Sequence, residues 1–335
     1  MDIALFLIFA LGVPWATWLT LGVRSKTTAL AMMAPGGVAA ILMLTISPLR
    51  LGHSPLARFG PPEYAVIAWG VPVIWVAALA GLNLLFHKAT PSRTFPDPKI
   101  RSEIVAKLIF AGALGALLAL IWLWPRLPWG KDLPLGLSSW QSLSVTVSLL
   151  TLFSLLTRLV TQALVGERAL GRTLAGYPRY LVTVLVLGVL LPLLGEELGW
   201  RGFLFPRLVQ YNVHLALLGT MAAWWLFHGP LGYLTPTLRG LPRWIPALGL
   251  LGIAGPSFFA GWLLLQTGSL WPPLIFHLTW NLLNPAMLGS LYTGKEGLLR
   301  GPIWLINGEG VMGTIVSTTA IAPLFYWLAL QAAQN

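Results

Sequence analysis

Long apolar stretches separated by short polar loops dominate the pattern along the chain. A helix needs about 20 apolar residues to cross the hydrocarbon core of a bilayer. Stretches of that kind lie near 3–23, 27–48, 64–86, 104–124, 141–165, 178–210, 213–229, 245–267, 270–288 and 310–332. They predict about ten transmembrane helices in a window of about 19 residues. An outer-membrane barrel would alternate in short segments, whereas these runs are continuous. The predicted fold is all-α, a polytopic transmembrane helical bundle with a buried polar site between its central helices. The first run has no basic segment before it and no small-residue cleavage site after it, so it reads as a retained helix. Two longer polar stretches, 87–103 and 125–140, predict loops: one holds Pro91, Pro96 and Pro98, the other Pro125, Pro128, Gly130 and Pro134. The chain divides into N-terminal helices over 1–139, to which the sequence assigns no role, a core over 140–290, and a loop with a last helix over 291–335.

Composition narrows the class further. Only 9% of the 335 residues are charged and 56% are hydrophobic, with a mean hydropathy of +0.77. Soluble domains carry about 25% charged residues, and disordered chains are poor in apolar ones. Both classes are excluded. Cysteine is absent, which removes disulfides, thiolate metal sites and cysteine nucleophiles. A net charge of +11 would point to nucleic acid in a soluble chain. Here the basic residues fall mostly in the loops or toward the ends of runs, 13 on one alternate side and 6 on the other, Arg201 and Arg207 among the 6. They report topology, not a nucleic-acid partner. The richer set, which includes Lys88, Arg172 and Arg243, is assigned to the cytoplasm, and both termini are then outside. Many of the 17 Trp flank the runs, as a belt against membrane lipid would.

Two acidic residues depart from the loop pattern. Glu196 and Glu197 sit in the run LVLGVLLPLLGEELGWRGFLFPRL. A carboxylate at a helix centre costs on the order of 3 kcal/mol on insertion scales. In an α-helix neighbours diverge by 100°, so the two cannot share one direction. Arg201 lies four residues after Glu197 and pairs with it. That pair reads as structural. Glu196 is left without a local partner and must find one on another helix, and an unpaired acid inside a membrane is functional by default.

Of the five histidines, His228 and His277 lie in apolar runs, and Asn281 follows His277 by four residues on the same face. If the turn after the Glu196 helix falls at Tyr211 and Asn212, then Glu196 and His228 each stand 16 residues from Asn212. Equal counts in an antiparallel hairpin mean equal depth, roughly 24 Å from the turn. His277 is only nine residues after Gly268. To reach that level, the connection TGSLWPPL must dip into the membrane, which is allowed where it is buried in protein. Trp224, one turn before His228, reads as packing or cavity wall, and His214 as interfacial.

One carboxylate, two imidazoles and one carboxamide can hydrolyse an amide. The carboxylate takes a proton from water, an imidazole holds that water, and the other imidazole with the amide meets the oxyanion. Glu196, His228 and His277 are also the donors a zinc ion would use. HExxH and GxGD are absent, the aspartates (Asp2, Asp97, Asp132) lie outside secure spans, and Ser257 has no paired base in sequence.

At these residues the chain resembles a known family. GEELGWRG fits EExxxR followed by Gly, through Glu196, Glu197, Arg201 and Gly202. WWLFH aligns with FxxxH ending at His228, with Trp224 in place of the Phe. HLTWN fits HxxxN through His277 and Asn281. These are the motifs of the CPBP intramembrane proteases, which include the type II CAAX prenyl endopeptidases and the bacteriocin-processing enzymes. The resemblance covers roughly residues 140–290. It implies that Glu196 and His228 activate water and that His277 and Asn281 bind the oxyanion. It implies a peptide or protein substrate, prenylated for some members. Both metal-dependent and glutamate-dependent descriptions exist for the family, and the residue reading favours glutamate with no required cofactor. The resulting expectation is an intramembrane endopeptidase in a multi-pass protein, its site nearer the cytoplasmic face. The alternative is a non-enzymatic transporter or adaptor using Glu196 as a proton or cation site. The Phe-to-Trp departure is expected to change the cavity wall rather than the chemistry.

Overall fold

The computed structural model describes residues 2–16, 62–91, 192–234, 240–292 and 294–334. The spans expected at 27–48, 104–124 and 141–165 lie outside the described residues, as do the ends of two others. What is described is mostly helical. Helix α1 (Asp2–Leu7) runs on through a π-helical turn, Ile8–Gly12. Helix α2 (Pro62–Phe86) leads to a short strand β1 (Thr90–Pro91). A π-helix, Pro192–Leu204, continues as α3 (Phe205–Val209), and α4 (Val213–Leu234) turns back beside it. Then come α5 (Trp244–Leu251), α6 (Ala254–Thr267) and α7 (Trp271–Leu288). Strand β2 (Leu299–Arg300) pairs antiparallel with β1, Thr90 opposite Arg300. Helices α8 (Ile303–Ile306), α9 (Val311–Val316) and α10 (Ala322–Ala332) follow, with a π turn, Ser317–Ile321, before the last.

Among the described residues three segments are long and apolar enough to cross a membrane: Glu63–Phe86, Trp244–Thr267 and Ile303–Ala332. The second reads as one run in the sequence but is broken between α5 and α6 at Gly252 and Ile253. Backbone groups freed by a break inside a membrane must be satisfied within the protein. Ser317 does this, its Oγ donating to the Gly252 carbonyl at 2.6 Å and accepting from the Gly255 N–H at 2.9 Å.

The packing places the site helices at the centre. Helix α7 runs along α2, α6 along α10, and the π-helix contacts both α4 and α7. Gly261 on α6 has no Cβ, which admits Phe205 and Leu217 to within about 3 Å of where one would stand. Phe6 of α1 packs against Trp200 and Phe203, on the back of the Glu196 helix. Helix α6 ends at Gly268 in the left-handed conformation, φ 59°, where glycine carries no Cβ penalty. Ser269 and Leu270 after it are buried. The donors of the turn are met locally: Ser269 N–H donates to Thr267 Oγ1 at 3.1 Å and Trp271 N–H to Ser269 Oγ at 3.2 Å. Pro272 and Pro273 then open α7, where missing N–H groups cost nothing.

Candidate active site

Three elements carry the site: the π-helix with Glu196, Glu197 and Arg201, α4 with Trp224 and His228, and α7 with His277 and Asn281. Glu196, Glu197, Arg201 and His277 are all buried. The spacing argument paired Glu197 with Arg201, and Arg201 Nη1 donates to Glu197 Oε1 at 3.1 Å. Counting from the turn put Glu196 and His228 at one level, and His228 Nε2 stands 4.0 Å from Glu196 Oε2.

The two carboxylates do not part as α-helical geometry requires. A π-helix closes its hydrogen bonds over five residues instead of four, so it is wider and turns less per residue. Both glutamates therefore reach the same imidazole. His277 Nδ1 lies 2.7 Å from Glu197 Oε1, and its Nε2 lies 3.9 Å from Glu196 Oε1. Glu197 thus bridges Arg201 and His277 rather than serving Arg201 alone.

Trp224 also has a different place from the one expected. Its indole Nε1–H donates to Glu196 Oε2 at 2.5 Å. The Arg201 guanidinium lies over its ring, 4.2 Å from the centroid. Its ring stands 5.8 Å from that of His228 and 5.7 Å from that of His277. The partner that Glu196 needed on another helix is this indole, and Trp224 is not wall alone. A phenylalanine here would have no hydrogen to give.

Hydrogen-bond chemistry fixes the imidazole tautomers. Carboxylates and carbonyls only accept. His277 Nδ1 faces Glu197 and His228 Nδ1 faces the Trp224 carbonyl at 3.0 Å, so each Nδ1 carries a proton. In the neutral rings both Nε2 atoms are then acceptors aimed toward Glu196.

The cluster and its three motifs lie within one matched stretch. Residues 178–283 match the family model described as type II CAAX prenyl endopeptidase Rce1-like. Over this stretch the chain is similar to that family. The stretch falls inside the core expected from the sequence and holds every site residue named above. With the apolar helices around it, it describes an integral membrane protein. No curated protein and no solved structure matches the chain.

Asn281, the last motif residue of the matched stretch, is placed apart from the contacts made by the others. It lies one turn beyond His277 on α7, is exposed, and has no hydrogen-bond partner among the described residues. Its amide is open to a group that is not protein. His214 is exposed as well, its Nδ1 2.5 Å from the Tyr326 hydroxyl.

The donors named for zinc do not present a metal's geometry. A tetrahedral ion with bonds of about 2.0–2.2 Å sets its ligands about 3.4 Å apart. The two imidazole Nε2 atoms stand 3.9 and 4.0 Å from the nearest Glu196 oxygens, and on different oxygens. Among the described residues no group of three His, Cys, Asp or Glu is arranged to hold an ion.

At the end of the matched stretch and past it, a neighbouring polar cluster went unforeseen in the sequence. Asn284 Oδ1 accepts from the Gly308 N–H at 2.8 Å, and its Nδ2 donates to Asn307 Oδ1 at 3.2 Å. Trp280 Nε1 approaches Glu309 Oε1 at 3.4 Å. Tyr292 also bonds Glu309, and burial, then Glu309 and then the charge of Glu196, push its hydroxyl well above the ordinary tyrosine value. Tyr292 therefore stays a neutral donor to Glu309 throughout the working range. No motif could have found it, since it lies past the last one.

Proposed function

We propose that the chain is an intramembrane endopeptidase in which Glu196 is the general base. The observation that carries this is the facing of Glu196 by two imidazole Nε2 atoms at 3.9 and 4.0 Å, each ring held by its Nδ1. A separation of that size is one that a single water can bridge. Such a water gives one hydrogen to the carboxylate and one to an imidazole, and its lone pair is left for a peptide carbonyl. Glu196 takes the proton as the oxygen bonds to the carbonyl carbon. The carbonyl electron pair moves to its oxygen, where the Asn281 amide donates. When the C–N bond breaks, the proton passes from Glu196 to the departing nitrogen, which restores the carboxylate.

The tautomer changes the part expected of His277. With Nδ1–H committed to Glu197, the neutral ring accepts from water at Nε2. It joins Asn281 at the oxyanion only in its doubly protonated form. The substrate is a peptide or protein, with prenylated proteins as the family-derived candidates. The positive-inside bias of the loops favours a site nearer the cytoplasmic face.

The test is cleavage in liposomes. Wild type and Glu196→Ala are incubated with a peptide library that includes prenylated members, and products are read by mass spectrometry. Cleavage by the wild type that disappears in Glu196→Ala is expected. Equal cleavage by both refutes the assignment of the base.

A further inference from the structure

We propose that Trp224 is a positioning residue that selects which oxygen of Glu196 acts as the base. This rests on the protease reading above and goes beyond it. Oε2 accepts the indole N–H at 2.5 Å, while Oε1 faces His277 Nε2 at 3.9 Å. A carboxylate oxygen already engaged by a donor is the poorer proton acceptor, because protonating it would cost the charge-assisted hydrogen bond it accepts. Oε1 is therefore the oxygen that receives the proton, and the water sits between Oε1 and His277. The division of labour differs from the one the motifs alone imply. His277 holds the attacking water, and His228, on the Oε2 side, stands beside the indole bond.

The indole is itself held. Arg201 covers one region of its ring at 4.2 Å, and the His228 ring meets it edge-on with centroids 5.8 Å apart. Glu197 orients Arg201 and His277 together. One rigid assembly thus fixes the carboxylate plane. Without the N–H, Glu196 is free to rotate about its terminal torsion, a broad two-fold well, and either oxygen can face the water. A ring that merely fills space would not impose that choice.

The test compares three proteins: wild type, Trp224→Phe, and a protein with β-(3-benzothienyl)alanine installed at 224 by nonsense suppression. The last keeps the indole shape and replaces N–H by sulfur. Cleavage kinetics are measured in liposomes, and the Glu196 carboxylate stretch, assigned by its loss in Glu196→Gln, is read by infrared difference spectroscopy. A hydrogen bond to a charged group predicts that kcat falls on the order of ten- to a hundredfold in both altered proteins. KM is expected to stay within about twofold, as for an interaction made in the transition state. The carboxylate band moves in both. Wild-type kcat in the benzothienyl protein, with loss in Trp224→Phe, would overturn the proposal by showing that shape matters and the hydrogen does not. An unmoved band would overturn it too. If the wild type cleaves nothing, the protease reading falls and takes the catalytic role of Trp224 with it, while the infrared shift still decides whether the indole binds Glu196.

Discussion

Replacing Glu197 by Gln is the sharpest perturbation of this site, because one oxygen does two jobs. Glu197 Oε1 accepts from Arg201 Nη1 at 3.1 Å and from His277 Nδ1 at 2.7 Å. Arg201 is fully buried, and its Nε and Nη2 have no hydrogen-bond partner among the described residues. At 3.1 Å and an effective dielectric of ~20, the Coulomb attraction is about 5 kcal/mol. Removing one member of a buried pair costs about 3–5 kcal/mol, because the other charge is left behind. A domain's whole stability is about 5–15 kcal/mol, so Glu197→Gln is expected to lower thermal stability severely. Arg201→Met does the same by stranding the carboxylate. The double variant removes both charges and is expected to regain most of the loss.

Stability and activity should then separate. In the double variant an amide faces His277 Nδ1, and an amide turned about its axis offers hydrogens where an acceptor is needed. The ring loses its fixed tautomer, so cleavage stays impaired although the fold recovers. The four proteins are compared by thermal unfolding in one detergent and by cleavage in liposomes. A coupling energy above about 2 kcal/mol is expected, within the range for residues in one network. Additive stability effects would refute the buried pair. A double variant with wild-type cleavage would refute the claim that Glu197 orients His277.

Asn281→Ala is expected to lower kcat about 10²–10³-fold, the cost of one oxyanion donor, with unchanged unfolding temperature because the side chain is exposed and unpartnered among the described residues; a simultaneous drop in unfolding temperature would mark it as structural. Chelation of the purified protein is expected to leave cleavage unchanged. One zinc per chain, with activity lost on chelation and restored by zinc, would overturn the glutamate mechanism. Gly261→Ala puts a Cβ 2.9 Å from Phe205 and 3.0 Å from Leu217, and overpacking of that kind costs about 1–3 kcal/mol. An unshifted unfolding transition would show that the aromatic ring yields freely.

What could be read in advance follows from how local each relation is. Glu197 and Arg201 are four residues apart, so one turn of helix decides their meeting. Glu196 and His228 meet through a count across a short turn, and that count holds because the loop at Gln210–Asn212 is tight, with Asn212 N–H donating to the Leu208 carbonyl at 3.1 Å. Relations that cross the bundle carry no such signal. Ser317 closes the break at Gly252 from 65 residues away, and a single apolar run gives no hint of either. Hydropathy is also blind to hydrogen-bond register. The π-helix is as apolar as an α-helix of the same residues, yet in it both carboxylates face His277.

Trp224 marks the limit most clearly. A tryptophan in an apolar run satisfies packing, a wall and a donor equally well, and only the position of a carboxylate distinguishes them. The sequence holds both halves of that fact, Glu196 with no local partner and an aromatic residue one turn before His228, but not the distance between them. At 2.5 Å the distance decides. The N–H on this ring meets the buried oxygen that helical spacing leaves without a partner, so the departure from phenylalanine falls on the hydrogen-bonding of the proposed base rather than on the shape of the cavity.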